Sequence, residues 1–185
     1  MKSLVPLSVF LLVFIGCSDA PAAPAETKSA PVFDSAAATA AIMTTIENET
    51  KAFYARNYEA WKTNFVQSKY AFQSWNNGDG SIDAKTGWPE VDAKIGEYIK
   101  KYPAPAIGTT HPTVLRKNML VKFFSPTAAY LLWDQYQSDS AQKMFTYSKE
   151  IRLMEKENEN WKILNVAAFW DYKNRLEYSK VTSNN

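Results

Sequence analysis

Cysteine and histidine are almost absent from this 185-residue chain: there is one of each, Cys17 and His111. A single cysteine excludes an internal disulfide, so the fold must be held by its core alone. A single histidine excludes a histidine-rich metal site, and His111 has no partner motif for a Ser-His-Asp arrangement. It precedes Pro112 in a loop of Gly and Thr residues and reads as a surface histidine. A dominant charge is missing too, with 21 basic residues against 19 acidic. There is no run of like charges and no internal repeat. A nucleic-acid footprint needs a clustered basic surface, so that class of partner is not expected. Long hydrophobic runs are confined to Leu4–Ile15, which is too short to span a bilayer comfortably as a helix.

That one apolar run follows Lys2 and has signal-peptide length. It ends in Phe14-Ile15-Gly16-Cys17, which resembles a bacterial lipobox, although Phe14 stands where Leu or Val is usual. The resemblance implies a signal peptide over 1–16, lipidation at Cys17, and an exported, membrane-anchored lipoprotein of the cell envelope, facing the periplasm or held at the outer membrane. The plainer alternative is a secretory signal with a chance cysteine. Without Lys2 the 21 basic residues fall to 20, leaving the mature chain near neutral. Residues 17–34, rich in Ala, Pro and Ser, read as a flexible tether. About 150 residues remain, one domain by the usual size.

Within that domain, residues 35–174, Asp34 or Ser35 can cap a helix reaching about Arg56. Ile42, Ile46 and Phe53, flanked by Met43 and Thr50, form its apolar stripe. Asn57 caps a second, short helix showing Tyr58, Trp61 and Phe65 on one face. Tyr70–Trp75 and Ser81–Thr86 read as a hairpin. Gly87-Trp88-Pro89 opens a third helix, since Pro is tolerated in a first turn. Four strand-length runs follow, Val114–Phe124, Ala128–Gln137, Met144–Glu155 and Trp161–Tyr172, separated by short turns. The expected class is α+β, with helices gathered on a curved, mainly antiparallel sheet, and a polar tail over 175–185.

The hairpin turn, WNNGDGSIDAKTGW, imitates a calcium loop. Asn77, Asp79, Gly80, Ile82 and Asp83 match the third, fifth, sixth, eighth and ninth places of an EF-hand. The first and twelfth places, which must supply acidic ligands, hold Trp75 and Thr86. Asn-Gly and Asp-Gly steps suit a tight turn, so no metal is assigned.

Ile46–Phe53 followed by Trp61, and Glu150–Lys156 followed by Trp161-Lys162-Ile163-Leu164, resemble the nuclear transport factor 2-like superfamily. This is the cone-shaped fold shared with SnoaL-like polyketide cyclases and ketosteroid isomerases, and the resemblance spans about Asp34 to Tyr172. It implies that Arg152 and Asn165 point into the cone. Strand alternation puts Glu150 on the same face as Arg152, with Ser148 and Met154. Aromatic rings could line the cavity, and the expected pocket comprises Trp61, Phe65, Trp133, Glu150, Arg152 and Asn165. Trp133 and Tyr136 differ in parity, so both cannot face inward without a bulge. The lone histidine and the unmatched oxyanion-hole residues weigh against the cyclase and isomerase chemistries.

The expected function is therefore a small-ligand-binding or accessory module without cofactor. One alternative is a cofactor-independent isomerase or lyase of the SnoaL or ketosteroid isomerase type, with Glu150 as its base. Another is a dimeric interaction subunit joined through the sheet face near Leu131 and Leu153.

Overall fold

The computed structural model describes residues 32–102 and 112–183. The expected signal peptide, Cys17 and His111 lie outside them. Helix α1 (Ser35–Tyr54) begins at Asp34, whose Oδ1 accepts the backbone N–H groups of Ala36 and Ala37 at 3.0 and 2.9 Å. Those two donors would otherwise be orphaned at the helix start. Ala38, Ile42 and Ile46 are its buried stripe. Helix α2 (Tyr58–Lys62) is closed in the same way, by Asn57 Oδ1 accepting from Ala60 N–H at 3.0 Å.

Strands β1 (Phe72–Asn76) and β2 (Ile82–Thr86) form the expected hairpin. Its turn needs Gly80 at φ 86°, a left-handed conformation open to glycine. The acids of the calcium-like loop are occupied by the turn itself. Asp79 Oδ1 accepts the Ser81 N–H and hydroxyl at 2.9 and 2.6 Å, and Asp83 lies 3.5 and 3.4 Å from the ammonium groups of Lys85 and Lys94.

The third helix is not one regular helix. Helix α3 (Trp88–Val91) passes into a π-helical turn, Asp92–Gly96, and then into α4 (Glu97–Lys101). Gly96 permits this. A Cβ there would stand 2.1 Å from Asp92 Oδ1 and 2.9 Å from a ring carbon of Tyr58.

Strands β3 (Val114–Ser125), β4 (Ala128–Ser138), β5 (Met144–Glu157) and β6 (Asn160–Glu177) form an antiparallel meander. Strand β1 then adds to β6 in parallel, giving one curved, unclosed, mixed sheet in the order β2-β1-β6-β5-β4-β3. The class is α+β, as the sequence predicts. Strand β6 continues beyond Asn174, and α5 (Tyr178–Thr182) follows it, burying Val181. The Tyr178 ring stacks on Phe145 at 4.9 Å.

Helix α1 packs against the inner face of the sheet. There Leu131, Trp133, Met154 and Ile163 meet Ile42, Ile46, Trp61 and Phe65 in a single core. Leu131 is fully buried and pairs with Arg152 across the strands, so it belongs to the inner face and not to the outer patch expected from sequence. The outer face carries Leu153 instead, with Leu120, Phe124 and Phe169 well exposed.

On that outer face a bulge in β3 is pinned by one carboxylate. Asn118 sits at φ 54° in the register shift between Lys117 and Leu120. Its amide donates to Asp134 Oδ2 at 2.7 Å, while Tyr147 and Lys149 donate to Oδ1 at 2.7 and 2.6 Å. These donors, Asn118 foremost, hold the Asp134 carboxyl down to about 2. A depressed carboxyl stabilises the fold above its unfolded value near 4 and loses that contribution as pH falls through the folded value. We therefore expect urea midpoints of the wild-type chain to fall more steeply between about pH 5 and about pH 2 than those of Asp134→Asn. Parallel curves would show that this network contributes nothing.

Candidate functional site

Three cross-strand rungs build the floor of a cavity beneath α1. Gln135 on β4 faces Arg116 on β3 and Ser148 on β5, which in turn faces Trp170 on β6. The next rung runs Trp133, Glu150, Ala168, Trp75, and the third Leu131, Arg152, Val166, Gln73. Glu49 and Phe53 of α1 close the space from above, and Lys94, Ile95 and Tyr98 of the π turn and α4 form its rim. The space, open to solvent at its rim, has a volume of about 360 Å³. A smaller recess of about 140 Å³ adjoins it and shares Glu49, Phe53, Gln135 and Arg152.

The polar floor is an ion pair in a nest of donors. Glu150 is 1% exposed and Arg152 7%. Arg152 Nη1 donates to Glu150 Oε2 at 2.8 Å and to the Ile151 carbonyl at 3.0 Å. Glu150 Oε1 accepts from the Ser148 hydroxyl at 2.7 Å and the Gln135 amide at 3.3 Å. The guanidinium group lies over the Trp133 ring, 5.0 Å from its centroid. Both Glu150 oxygens are engaged by these three donors, which weakens the role given to Glu150 in the isomerase alternative. Arg152 Nε, in contrast, is buried with no hydrogen-bond partner among the described residues.

The group missed by sequence reasoning is Glu49. It accepts the Trp61 indole N–H on Oε1 at 3.1 Å, and the Thr50 hydroxyl lies 3.3 Å from Oε2. It is partly exposed and lines the cavity, with most of its side chain surrounded by protein. That burial holds its carboxyl above the ordinary range; the Arg152 and Arg116 guanidinium groups and the two hydrogen bonds offset it only in part. Its position was signalled by the sequence. Ile42, Ile46, Glu49 and Phe53 are spaced four, three and four apart, so Glu49 occupies an apolar slot of the α1 stripe. Glu49 thus brings a carboxyl group to the roof of the cavity, opposite the Glu150–Arg152 pair.

The six residues expected in the pocket separate. Glu150 and Arg152 come together on its floor. Trp61 and Phe65 lie instead in the core, with ring centroids 4.7 Å apart, and Trp61 also stacks on Trp88 at 5.7 Å. Trp133 is fully buried below Arg152 and supports the floor without lining it. Asn165 leaves the inner face because of a bulge in β6. Ile163 pairs with Met154, but Asn165 pairs with Leu153, so the intervening Leu164 reverses the alternation. Val166, Ala168 and Trp170 point inward in its place. The aromatic walls are therefore Phe53, Trp75, Tyr98 and Trp170, of which Phe53 and Tyr98 stack at 5.9 Å. Arg56 clamps those two rings, its guanidinium 5.0 and 4.6 Å from their centroids and donating to the Tyr98 hydroxyl at 3.0 Å.

No protein-family model matches the chain, and no curated protein does. Solved structures do match, over most of their length. A nuclear transport factor 2-like protein of unknown function from Shewanella oneidensis is 18% identical over 71% of this chain and 98% of its own, with a TM-score of 0.52. The chain has the nuclear transport factor 2-like fold. Another protein of that fold and of unknown function, from Pseudomonas putida, aligns over 75% of this chain and 92% of its own at 12% identity and a TM-score of 0.54. A structure from Novosphingobium aromaticivorans, provisionally named a scytalone dehydratase, is 14% identical over 77% and 89%, with a TM-score of 0.55. At such identities the nuclear transport factor 2-like likeness concerns the fold and assigns no chemistry.

The ion pair supports a specific expectation. Removing one partner of a buried pair strands the other charge, at a cost of about 3–5 kcal/mol, whereas replacing both with apolar groups is often nearly neutral. Glu150→Leu or Arg152→Met alone should lower the urea-denaturation stability by about that amount, and the double variant should recover most of it. Additive losses would show that the two residues act separately.

Proposed function

We propose that this domain is a small-molecule-binding module whose ligand occupies the cavity under α1. The carrying observation is an aromatic-walled space of about 360 Å³ with Glu49, Gln73 and Arg152 among its lining residues. Ligand sites are commonly concave and mostly apolar, with a few convergent polar groups that fix orientation. Phe53, Trp75, Ile95 and Val166 supply the apolar surface; Glu49, Gln73 and Arg152 supply the polar end. The volume suits a molecule of one or two fused rings.

The test is a thermal-shift screen of the full chain against small aromatic acids, amides and alcohols. A ligand at one hundred times its Kd should stabilise the native state by about 2.7 kcal/mol and raise Tm by several degrees. Ala168→Phe, which fills the cavity from the sheet side, should abolish the shift. A flat screen, or shifts that survive the filled cavity, would sink the reading.

We also propose that the module is displayed from a membrane in the cell envelope by a lipid on Cys17. The support is the Phe14–Cys17 motif and the Ala- and Pro-rich stretch after it. One acyl chain binds weakly and stable anchoring takes more, as a fully lipidated N-terminus would provide. Cys17→Ala should move the protein from the membrane fraction to the soluble fraction on cell fractionation. Unchanged membrane retention would exclude lipidation at this residue.

A further inference from the structure

Nearly every charged or amide side chain on the cavity lining already has a partner. Glu150 and Arg152 hold each other at 2.8 Å. Gln135 is committed at both ends, its Oε1 accepting from the Trp133 indole at 3.4 Å and its Nε2 donating to Glu150 at 3.3 Å. Glu49 accepts from the Trp61 indole, and Lys94 stands 3.4 Å from Asp83. Gln73 is the exception. It is 6% exposed and lines the cavity, and among the described residues its carboxamide makes no hydrogen bond. Nor are its oxygen and nitrogen sealed off by protein in the way that Arg152 Nε is. The free amide therefore has surface open to the space it lines.

The position makes this amide conspicuous. Gln73 shares the inner face of β1 with Trp75 and stands across from Val166 on β6. Both neighbours are apolar, and a methionine would pack there without leaving polar atoms unmatched. A buried polar group left without its bond costs about 1–3 kcal/mol, and a polar residue where the pattern calls for an apolar one marks a site. A carboxamide offers an acceptor and two donors side by side in one plane. A molecule that displaces solvent from the cavity must replace the bonds that solvent makes to them. A carboxylate returns only acceptors, and an ammonium group only donors. The edge of a ring lactam returns one N–H and one C=O together, in one plane and at matching spacing.

Resting on the binding reading above, we infer that Gln73 determines specificity and that the ligand is an uncharged, flat ring system with a lactam edge. The lactam N–H donates to Gln73 Oε1, and Gln73 Nε2 donates to the lactam carbonyl. The ring body takes the apolar space bordered by Phe53, Trp75 and Val166. The charges on the lining call for no counter-ion. Glu150 offsets Arg152, Lys94 meets solvent at the rim beside Asp83, and burial favours the neutral form of Glu49.

Calorimetric titration of the full-length chain with 2-quinolone and N-methyl-2-quinolone tests this. The methylated probe keeps the rings and the carbonyl and lacks the donor. The parent lactam should bind at least about tenfold more tightly, a difference of about 1.4 kcal/mol. Gln73→Met keeps the length of the side chain and removes its polar atoms, and it should bring the two affinities within about threefold of each other. A preference that persists in Gln73→Met would come from the bulk of the methyl group and would overturn the inference. Equal binding of the two probes to the wild-type chain would overturn it as well, and that comparison needs no variant. In both cases, binding that is lost in Ala168→Phe leaves the cavity reading standing. Failure of both probes, while the thermal-shift screen finds ligands that the filled cavity rejects, would overturn the lactam edge alone. Failure of both probes with a flat screen would remove the cavity reading and the inference together.

Discussion

A guanidinium group cannot be taken out of water without anions and acceptors to replace it, and the inner face of this sheet is arranged around that constraint at Arg152. Strand alternation brings Glu150 beside it, Ser148 and Gln135 complete Glu150, and the Trp133 ring lies beneath the guanidinium. What remains unsatisfied is one N–H facing the protein interior. The apolar core stops short of these groups, and the cavity begins where they do. In this sense the space is the part of the core that polar side chains keep from closing.

The helix above supplies the matching element. Glu49 interrupts an apolar stripe that otherwise packs α1 onto the sheet. Its indole bond from Trp61 ties the roof of the cavity to the aromatic cluster of Trp61, Phe65 and Trp88. Structural and binding roles are thus joined through single residues. Trp61 fills the core with its ring while its N–H holds a carboxyl at the cavity, a division of labour available to tryptophan because one end of the side chain is polar.

Much of the fold was legible in the sequence because its signals are local. Asp34 and Asn57 are side-chain caps that act within three residues, the hairpin turn is written in Asn-Gly and Asp-Gly, and the four late strands are bounded by polar turns. The family resemblance pointed Arg152 inward, and parity, which is reliable along an unbroken strand, put Glu150 on the same face. Asn165, pointed inward by the same resemblance, lies on the other face because of a bulge that nothing in Ile163-Leu164-Asn165 announces. Trp61, Phe65 and Trp133 were assigned to a pocket because composition does not separate a ring that lines a space from one that fills it. Leu131 was placed outside because its face depends on register with β5, a long-range fact. Glu49 had a local signal, an acid at an apolar helical position, and it is the kind of conflict between pattern and chemistry that marks sites. The π turn had only Gly96 to indicate it.

The π turn at Asp92–Gly96 and the bulge at Leu164 have something in common. Each inserts one residue into a regular element, and each comes just before residues that line the same cavity. A helix advances by about 100° per residue and a strand by about 180°. One extra residue therefore re-phases everything that follows it, carrying Tyr98 to the rim in one case and Val166, Ala168 and Trp170 to the floor in the other. The lining is a product of phase as much as of composition. Lineages sharing this fold could exchange the residues that meet a ligand by gaining or losing a single residue at either point, with the buried pair beneath left untouched.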